Sequence, residues 1–168
     1  MLKYKYCPQC KNLLVRQENN YYCTNCGVKI YINPKPTTLV FLIKNGMVLL
    51  AKRAVEPYKG SFDLIGGFLE PGELPEKAVI RETKEETGLD IKILGLLSMH
   101  TDRYGKGGDY LINIYYLGEI ADGKPKAGDD VASLHWFPID KIPKMSFKSA
   151  SLAIKDLQKW YKEKVKPI

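Results

Sequence analysis

The sequence predicts an α/β domain, in which a mixed β-sheet is sandwiched between helices, preceded by a small module that contains all four cysteines. Three observations support this architecture: short β-rich segments separated by Gly and Pro turns, one helical pattern between strands, and a second helical pattern near the end of the sequence. The length of 168 residues suits one ordinary domain and one small module. Two prolines within residues 33–36 favour an extended linker, so the predicted units are residues 1–33 and 37–168.

The strands of the larger unit are predicted from apolar and β-branched runs that are bounded by turn residues. The first run, over 37–43, reverses at Lys44-Asn45-Gly46, a hairpin signal, into a second strand over 47–53. Residues 54–62 are expected to form a loop, and three glycines predict another loop over 101–109. Further strands are predicted over the ranges 63–65, 91–99, 111–119 and 132–137.

Two helices are predicted in the larger unit. Pro75 suits the first turn of a helix, where its missing N–H is not needed, and Gly88 is typical of the position just beyond a helix end. The first helix is therefore placed over residues 75–87. The second covers residues 147–165, where apolar side chains recur every three or four positions to form one core-facing stripe: Ala150, Ile154, Leu157, Tyr161 and Val165.

Composition and charge narrow the class of protein. A hydrophobic share of 45% and a charged share of 27% are typical of soluble globular proteins, and the absence of a long apolar run argues against a membrane span. The first residues have no signal-peptide pattern, so a reducing, cytoplasmic location is expected. Residues 1–60 hold ten Lys and Arg against two acidic residues, whereas residues 61–168 hold sixteen against seventeen. This basic first third indicates either a solvated surface or a phosphate or nucleic-acid partner.

The four cysteines form two Cys-x2-Cys pairs, Cys7 with Cys10 and Cys23 with Cys26. Two such pairs are typical of a tetrahedral Zn²⁺ site in which all four ligands are thiolates. Because no ligand position stays open for substrate or water, the predicted role of the zinc is structural, and a module this small needs such a cross-link to fold. Disulfides and an iron site with the same ligands are the alternatives.

The first predicted helix carries an acidic face. Glu82, Glu85 and Glu86 lie at positions i, i+3 and i+4, so they share one side of the helix. Like charges at this spacing destabilise a helix unless a cation offsets them. Mg²⁺ prefers carboxylate oxygens together with substrate phosphates, and such ions can activate a water for displacement at phosphorus. A solvated acidic surface helix is the alternative.

The surroundings of this helix favour a functional role. Arg81 is placed to pair with Glu85 one turn on and to reach back to Glu73, which would hold the carboxylates in a fixed arrangement. The preceding Gly66-Gly67 allows close backbone approach, and Pro71-Gly72 introduces a bend. Other chemistries find little support, because the sequence has no spare cysteine nucleophile, no G-x-S-x-G elbow and no P-loop.

The stretch from Gly67 to Leu89 resembles the Nudix box, G-x5-E-x7-R-E-U-x-E-E-x-G-U, in which U is a bulky aliphatic residue. The matching positions are Gly67, Glu73, Arg81, Glu82, Glu85, Glu86, Gly88 and Leu89. Thr83 occupies the first aliphatic position, and upstream Phe62 and Ile65 stand where the family usually has tryptophan and proline. The resemblance covers residues 37–165.

The resemblance implies an αβα sandwich that hydrolyses a nucleoside diphosphate linked to another moiety, X, with Mg²⁺ or Mn²⁺ as cofactor. It implies that Arg81 and Glu73 form an orienting pair. The general base is expected to be a glutamate of the box or an acid on a later loop, where Asp130 is the preferred candidate. The implied metal ligands are the Gly67 carbonyl and the side chains of Glu82, Glu85 and Glu86.

Candidate substrate contacts lie outside the box. An N-terminal zinc ribbon ahead of a Nudix domain is similar to the NADH pyrophosphatase group, but the S-Q-P-W-P-F-P-x-S signature of that group is absent from residues 96–104. Arg103 is predicted to bind a phosphate, Tyr104 to stack on a base, and Arg53 is a further candidate. The expected substrate is ADP-ribose, a dinucleotide or a nucleotide sugar. RNA and a second copy of the chain stay open as partners, and a non-catalytic nucleotide- or RNA-binding module is the alternative function.

Overall fold

The computed structural model describes residues 4–164, which form two compact units. The first unit ends at Pro34 and the second begins at Lys35. The division falls within the predicted linker, although Lys35 and Pro36 already belong to the first strand of the second unit. No helix within residues 4–164 is long and apolar enough to cross a membrane.

The first unit is a three-stranded antiparallel sheet built around the cysteines. Its strands are β1 (Leu14–Arg16), β2 (Asn20–Cys23) and β3 (Lys29–Tyr31), with β2 in the centre. The buried side chains of its core are Cys7, Leu14, Tyr21 and Cys23. A core of this size contributes little stability by apolar burial.

The second unit contains a seven-stranded mixed sheet. The main path follows the order β10-β5-β4-β9-β8, with β6 beside β5 and β7 beside β4. β4 and β9 run parallel, and the other pairs are antiparallel, so the predicted mixed sheet is confirmed. The strands are β4 (Lys35–Lys44), β5 (Met47–Arg53), β6 (Phe62–Asp63), β7 (Ile65–Phe68), β8 (Asp90–Arg103), β9 (Tyr110–Asp122) and β10 (Val131–Pro138).

Two helices form within the second unit close to their predicted bounds. α1 (Pro75–Thr87) begins with the expected proline and ends at Gly88, whose φ of 70° is the left-handed conformation that glycine adopts without strain. α2 (Lys148–Lys164) follows a short 3-10 helix (Ile139–Lys141). Its stripe is buried at Ala150, Ile154 and Leu157, whereas Val165 lies outside the described residues.

The helices pack on opposite faces of the sheet, as the alternation of side chains along a strand requires. On β4, Val40 and Leu42 belong to the core cluster that contains Val79 of α1. Phe41 lies between them in sequence and joins the cluster that contains Leu157 of α2. The predicted αβα sandwich is therefore the observed architecture.

The β8–β9 hairpin is longer than its glycines indicate. The loop predicted over 101–109 is wrong for its first three residues, because β8 continues to Arg103 and pairs there with Tyr110 of β9. The ladder continues because backbone pairing with β9 outweighs the low apolar content of these positions. Only residues 104–109 connect the two strands, which places Tyr104 at the end of β8.

Candidate active site

Arg81 on α1 joins three carboxylates into one group. Its Nε and Nη2 atoms donate to the two oxygens of Glu73, each at 2.9 Å. Its Nη1 atom donates to one oxygen of Glu82 at 2.9 Å and to one oxygen of Glu85 at 3.0 Å. Nη2 also donates to the carbonyl of Phe68 at 3.2 Å, which connects the helix to the end of β7. Both contacts expected for Arg81 are therefore present.

The contact between Arg81 and Glu73 is a fully ionised pair. Two charge-assisted hydrogen bonds from Arg81 lower the pKa of Glu73 to about 2. The same contacts raise the pKa of Arg81. The planar guanidinium matches the carboxylate in two places, so this pair holds the orientation of the remaining N–H groups that reach Glu82 and Glu85.

Glu86 is a buried carboxylate in the same acidic face. It is 6% exposed, and one of its oxygens accepts a hydrogen bond from the Gly66 N–H at 2.9 Å. Burial raises the pKa of Glu86 well above its usual range, and the charges of Asp130, Glu82 and Asp63 raise it further. Burial also raises the pKa of Glu82, against the opposing effect of Arg81. Glu86 thus lies close to other acidic groups at a position that is shielded from solvent.

The two glycines of β7 allow the sheet to approach this acidic face. A Cβ atom on Gly66 would lie 2.1 Å from the carbonyl oxygen of Thr38, and the φ of Gly66 is 138°. A Cβ atom on Gly67 would lie 2.6 Å from the carboxylate of Glu82. A side chain at Gly66 would therefore push β7 away from β4, and a side chain at Gly67 would displace the Glu82 carboxylate.

The donor set fits a hard divalent cation. Gly67, Glu82 and Glu86 line one cavity, and Glu85, whose side chain is 47% exposed, joins them through the shared Nη1 atom of Arg81. Carboxylate and carbonyl oxygens are the ligands that Mg²⁺ and Mn²⁺ accept. Among the hydrogen bonds of the described residues, none joins Glu86 to an arginine. A bound cation would therefore offset the negative charges that raise the pKa of Glu86.

Asp130 lies on a loop that is hydrogen-bonded to the end of α1. The Gly128 N–H donates to the carbonyl of Glu86 at 3.0 Å, and the Lys126 N–H donates to the carbonyl of Thr87 at 2.9 Å. Asp129 and Asp130 follow directly and line the cavity. Asp130 thus lines the same cavity as Glu86, and its role as general base stays a prediction.

Asp63 is a buried acid in the cavity that the sequence patterns did not single out. Burial raises its pKa to about 6, although the Arg53 guanidinium donates to it at 3.1 Å and opposes that effect. Arg53 is held in turn by the carbonyl of Pro57 at 2.8 Å, and it also lines the cavity. The sequence did contain a signal for this buried acid, because Asp63 stands among apolar residues in a short strand. A side chain at such a position is buried unless the strand lies at an edge.

The cavity lies on the α2 side of the sheet and has a volume of about 210 Å³. Alternate residues of β9, Leu111, Asn113 and Tyr115, line it, as do Thr37 and Leu39 of β4. This spacing of two follows from the alternation of side chains along a strand. Ser149 and Phe147 complete this wall from the start of α2. The sequence patterns missed these polar residues, although a polar Asn113 in an otherwise apolar strand was a signal.

Tyr104 and Arg103 lie in different surroundings. Tyr104 lines the cavity and contacts Phe68 and Phe147, with ring centroids 5.5 and 6.2 Å apart. Arg103 is exposed and does not line this cavity; its guanidinium lies over the ring of Tyr110 at 4.0 Å and donates to the hydroxyl of that tyrosine. β8 ends at Arg103, so Tyr104 already belongs to the connection between β8 and β9.

The cysteines of the first unit come together as one cluster. Their four sulfur atoms lie within 4.8 Å of one another, with Cys7 and Cys26 3.6 Å apart and Cys10 and Cys23 3.4 Å apart. Tetrahedral zinc with Zn–S bonds of about 2.3 Å places its sulfurs about 3.8 Å apart. Each pair also has the same turn, in which an N–H returns to the carbonyl of the first cysteine. The geometry fits a closed four-thiolate zinc site.

Comparisons with known proteins agree with this geometry. The NUDIX domain family model matches residues 33–157. An ADP-ribose pyrophosphatase from Methanocaldococcus jannaschii is 38% identical over 134 residues, which cover 79% of this chain and 78% of that protein. The NAD-capped RNA hydrolase NudC from Stutzerimonas stutzeri is 29% identical over 149 residues, but the match covers 50% of that protein. This chain therefore spans about half the length of relatives of the NudC type.

Solved structures support the fold. The crystal structure of a NUDIX hydrolase from Nitrosomonas europaea matches with a TM-score of 0.77 at 24% identity, covering 95% of this chain and 92% of that one. The crystal structure of a UDP-X diphosphatase matches with a TM-score of 0.65 at 23% identity, covering 78% of this chain and 66% of that one. Since the curated relatives are hydrolases, the comparisons favour an enzyme over a non-catalytic binding module.

Proposed function

We propose, because this chain belongs to the Nudix family of pyrophosphohydrolases, that it hydrolyses the diphosphate bond of ADP-ribose with Mg²⁺ as cofactor. The observation that carries this proposal is the carboxylate group organised by Arg81, which borders a cavity large enough to hold part of a nucleotide. The similarity to an ADP-ribose pyrophosphatase over most of both chains supports the choice of substrate.

The metal ligands in this proposal are the Gly67 carbonyl and the side chains of Glu82, Glu85 and Glu86. When bound, Mg²⁺ neutralises phosphate charge and lowers the pKa of a coordinated water; Mn²⁺ can do the same. Arg81 keeps one oxygen of Glu82 and one of Glu85 in fixed positions. Glu73 has an indirect role, because it orients Arg81 and does not contact the substrate itself.

The reaction is a displacement at phosphorus. A water oxygen forms a bond to one phosphorus of the diphosphate while the bond from that phosphorus to the bridging oxygen breaks, giving AMP and ribose 5-phosphate. Asp130 is the proposed general base and receives a proton of the attacking water, since it lines the cavity beside Glu86. Asp63 is a second acid in the cavity, and a pKa of about 6 would let it exchange a proton near neutral pH.

Substrate binding is assigned to two of the three predicted side chains. Arg53 presents a guanidinium to the cavity and is the proposed contact for a phosphate. Tyr104 offers a ring beside Phe68 and Phe147, where a planar group can pack. The phosphate-binding role of Arg103 stays a prediction, because Arg103 does not line the cavity. Arg103 therefore serves as a control position.

Hydrolysis of the nucleotide cap of NAD-capped RNA is the second candidate activity. It is favoured by the similarity to NudC proteins and by the basic first third of the sequence. The match spans half of the NudC chain, so ADP-ribose stays the preferred substrate. A strong salt dependence of RNA binding would support this second activity.

The cysteine cluster is proposed to bind Zn²⁺. The role of this ion is structural, because all four thiolates are needed to complete its tetrahedral coordination. Thiolates in this arrangement are maintained in a reducing compartment, and a cytoplasmic location is proposed on that ground. A small-molecule nucleotide is the proposed partner, and a homodimer stays a prediction.

The test is product release with Mg²⁺ from ADP-ribose, NADH, diadenosine polyphosphates, nucleotide sugars and NAD-capped RNA. Native protein is compared with Glu85→Gln, and Glu119→Gln on β9 is the matched control because Glu119 contacts only Lys92 among the ion pairs of the described residues. We expect ADP-ribose to be cleaved fastest and Glu85→Gln to lose about 100-fold or more of kcat, with the control unchanged. Absence of cleavage by the native protein, with nucleotides still bound, would overturn the enzymatic proposal.

A further inference from the structure

A row of buried polar residues crosses the floor of the cavity. Thr37 on β4 pairs in register with Asn113 on β9, and on its other side with Phe68 on β7. In-register neighbours point to the same face, so these side chains form one row. Ser149 of α2 closes the row from above, and Thr37, Asn113 and Ser149 are all buried while lining the cavity.

The hydrogen bonds in this row have a fixed direction. Asn113 donates from Nδ2 to the carbonyl of His100 at 3.4 Å and to the hydroxyl of Ser149 at 3.1 Å. A backbone carbonyl can only accept, so it sets the orientation of the amide and leaves Oδ1 toward Thr37. Thr37 donates its hydroxyl proton to Oδ1 at 2.5 Å. The Thr37 oxygen can therefore act only as an acceptor toward a ligand.

The other end of the row presents a donor. The Ser149 hydroxyl accepts from Asn113 at 3.1 Å, and Tyr115, a buried residue of β9, lines the same cavity. The phenol of Tyr115 carries one O–H, which can donate a hydrogen bond. The cavity floor thus offers one acceptor, on Thr37, and one donor, on Tyr115.

The walls beside this floor are aromatic. Phe68 and Tyr104 meet edge to face, and the rings of Tyr104 and Phe147 are nearly parallel, with an interplanar angle of 22°. Such walls suit a flat ring more than a sugar, because a flat ring can contact aromatic faces over its whole area. A planar group with a donor and an acceptor on its inner edge would therefore match both the walls and the floor.

We propose that this floor recognises the amino-bearing edge of adenine and rejects 6-oxopurines. The 6-amino group would donate to the Thr37 oxygen, and a ring nitrogen would accept from the O–H of Tyr115. Hypoxanthine reverses the edge, since its 6-oxygen accepts and its N1 carries a proton. Buried floor groups would then be left unpaired, which is the situation in which a binding site discriminates strongly. The inference rests on the proposed function for its choice of nucleotide.

The experiment compares ADP-ribose with IDP-ribose, which differ only in this edge, by kcat/KM for the native protein, Thr37→Val and Thr37→Ser. In parallel, calorimetric binding of AMP and IMP to the native protein measures recognition without hydrolysis. Thr101→Val, at an exposed position of β8, is the matched control for Thr37→Val. Ser149→Ala is compared with Ser151→Ala, two residues along α2 and outside the cavity lining.

We expect the native protein to prefer the adenine substrate by about tenfold or more. The preference should shrink in Thr37→Val and Ser149→Ala and persist in Thr37→Ser and both controls. Equal use of the two substrates, or a ratio unchanged in Thr37→Val, would overturn the inference, because the row would then only hold α2 to the sheet. If neither substrate is cleaved but AMP binds more tightly than IMP, the proposed activity fails while base recognition stands; equal or absent binding overturns it.

Discussion

Arg81 donates two parallel hydrogen bonds to Glu73, at 2.9 Å each, and this contact orients the guanidinium that reaches the acidic face of α1. The two residues lie eight positions apart, with Glu73 before the helix and Arg81 within it. The loop and the helix are thereby held together at the site, which lowers the cost of keeping like charges close.

Arg81→Lys should reduce kcat by about 10- to 100-fold, because a lysine cannot make the bidentate contact and the carboxylates lose their common support. The measurement is steady-state hydrolysis of ADP-ribose at saturating Mg²⁺. Arg103→Lys is the matched control, since Arg103 lies outside the cavity lining. An unchanged kcat in Arg81→Lys would show that the carboxylates hold their positions without it.

Glu86→Gln should separate stability from activity. Burial raises the pKa of Glu86, so the ionised carboxylate destabilises the metal-free protein at neutral pH, and the amide keeps an acceptor for the Gly66 N–H. In EDTA at pH 7.5 the variant should unfold at a higher temperature than the native protein, while activity falls by about 100-fold or more. Mg²⁺ should raise the Tm of the native protein but not that of the variant. A lower Tm in EDTA would contradict this account.

Asp63→Asn should change how stability depends on pH. The folded protein keeps a proton on Asp63 up to its raised pKa of about 6, whereas the unfolded chain releases it near 3.8. The free energy of unfolding of the native protein therefore falls as pH rises between these values, by up to about 3 kcal/mol from this group. The measurement is urea unfolding from pH 4 to pH 7.5. The free energy of unfolding of the variant should rise relative to that of the native protein up to about pH 6, and the difference between the two should stay constant above that pH.

The control for that series is Asp140→Asn, an exposed aspartate on the short 3-10 helix. This variant measures what the same Asp→Asn change does at an exposed position. A flat difference for Asp63→Asn would mean that Asp63 is ionised in the folded protein at all these pH values.

Cys10→Ser should abolish zinc binding and unfold the first unit, because three remaining thiolates leave the tetrahedron incomplete and the unit has a very small core. Metal analysis should show about one zinc ion per native chain and much less in the variant. Limited proteolysis should then cleave before Pro34 and leave a resistant fragment that begins near Lys35. Resistance of the first unit in the zinc-free variant would show that its fold does not depend on the metal.

The sequence alone determined the elements whose signals are local. Pro75 and Gly88 bound α1 because a proline suits the first helical turn and a glycine the left-handed residue after the last. The spacing of Glu82, Glu85 and Glu86 placed them on one helical face for the same geometric reason. The two Cys-x2-Cys pairs likewise indicated their own cluster, since their spacing already matches a tetrahedral site.

Only the tertiary structure decided which residues of different strands become neighbours, because this depends on how the strands pair. Asp63 became a buried acid, and Thr37 and Asn113 became neighbours, only because β4 lies parallel to β9 and β6 pairs with β5. The extra pairing of β8 with β9 extended the strand to Arg103 and left Tyr104 in the connection between the strands. A period of two tells which residues share a face but not which face bears the cavity, because that depends on register and on contacts between residues distant in sequence.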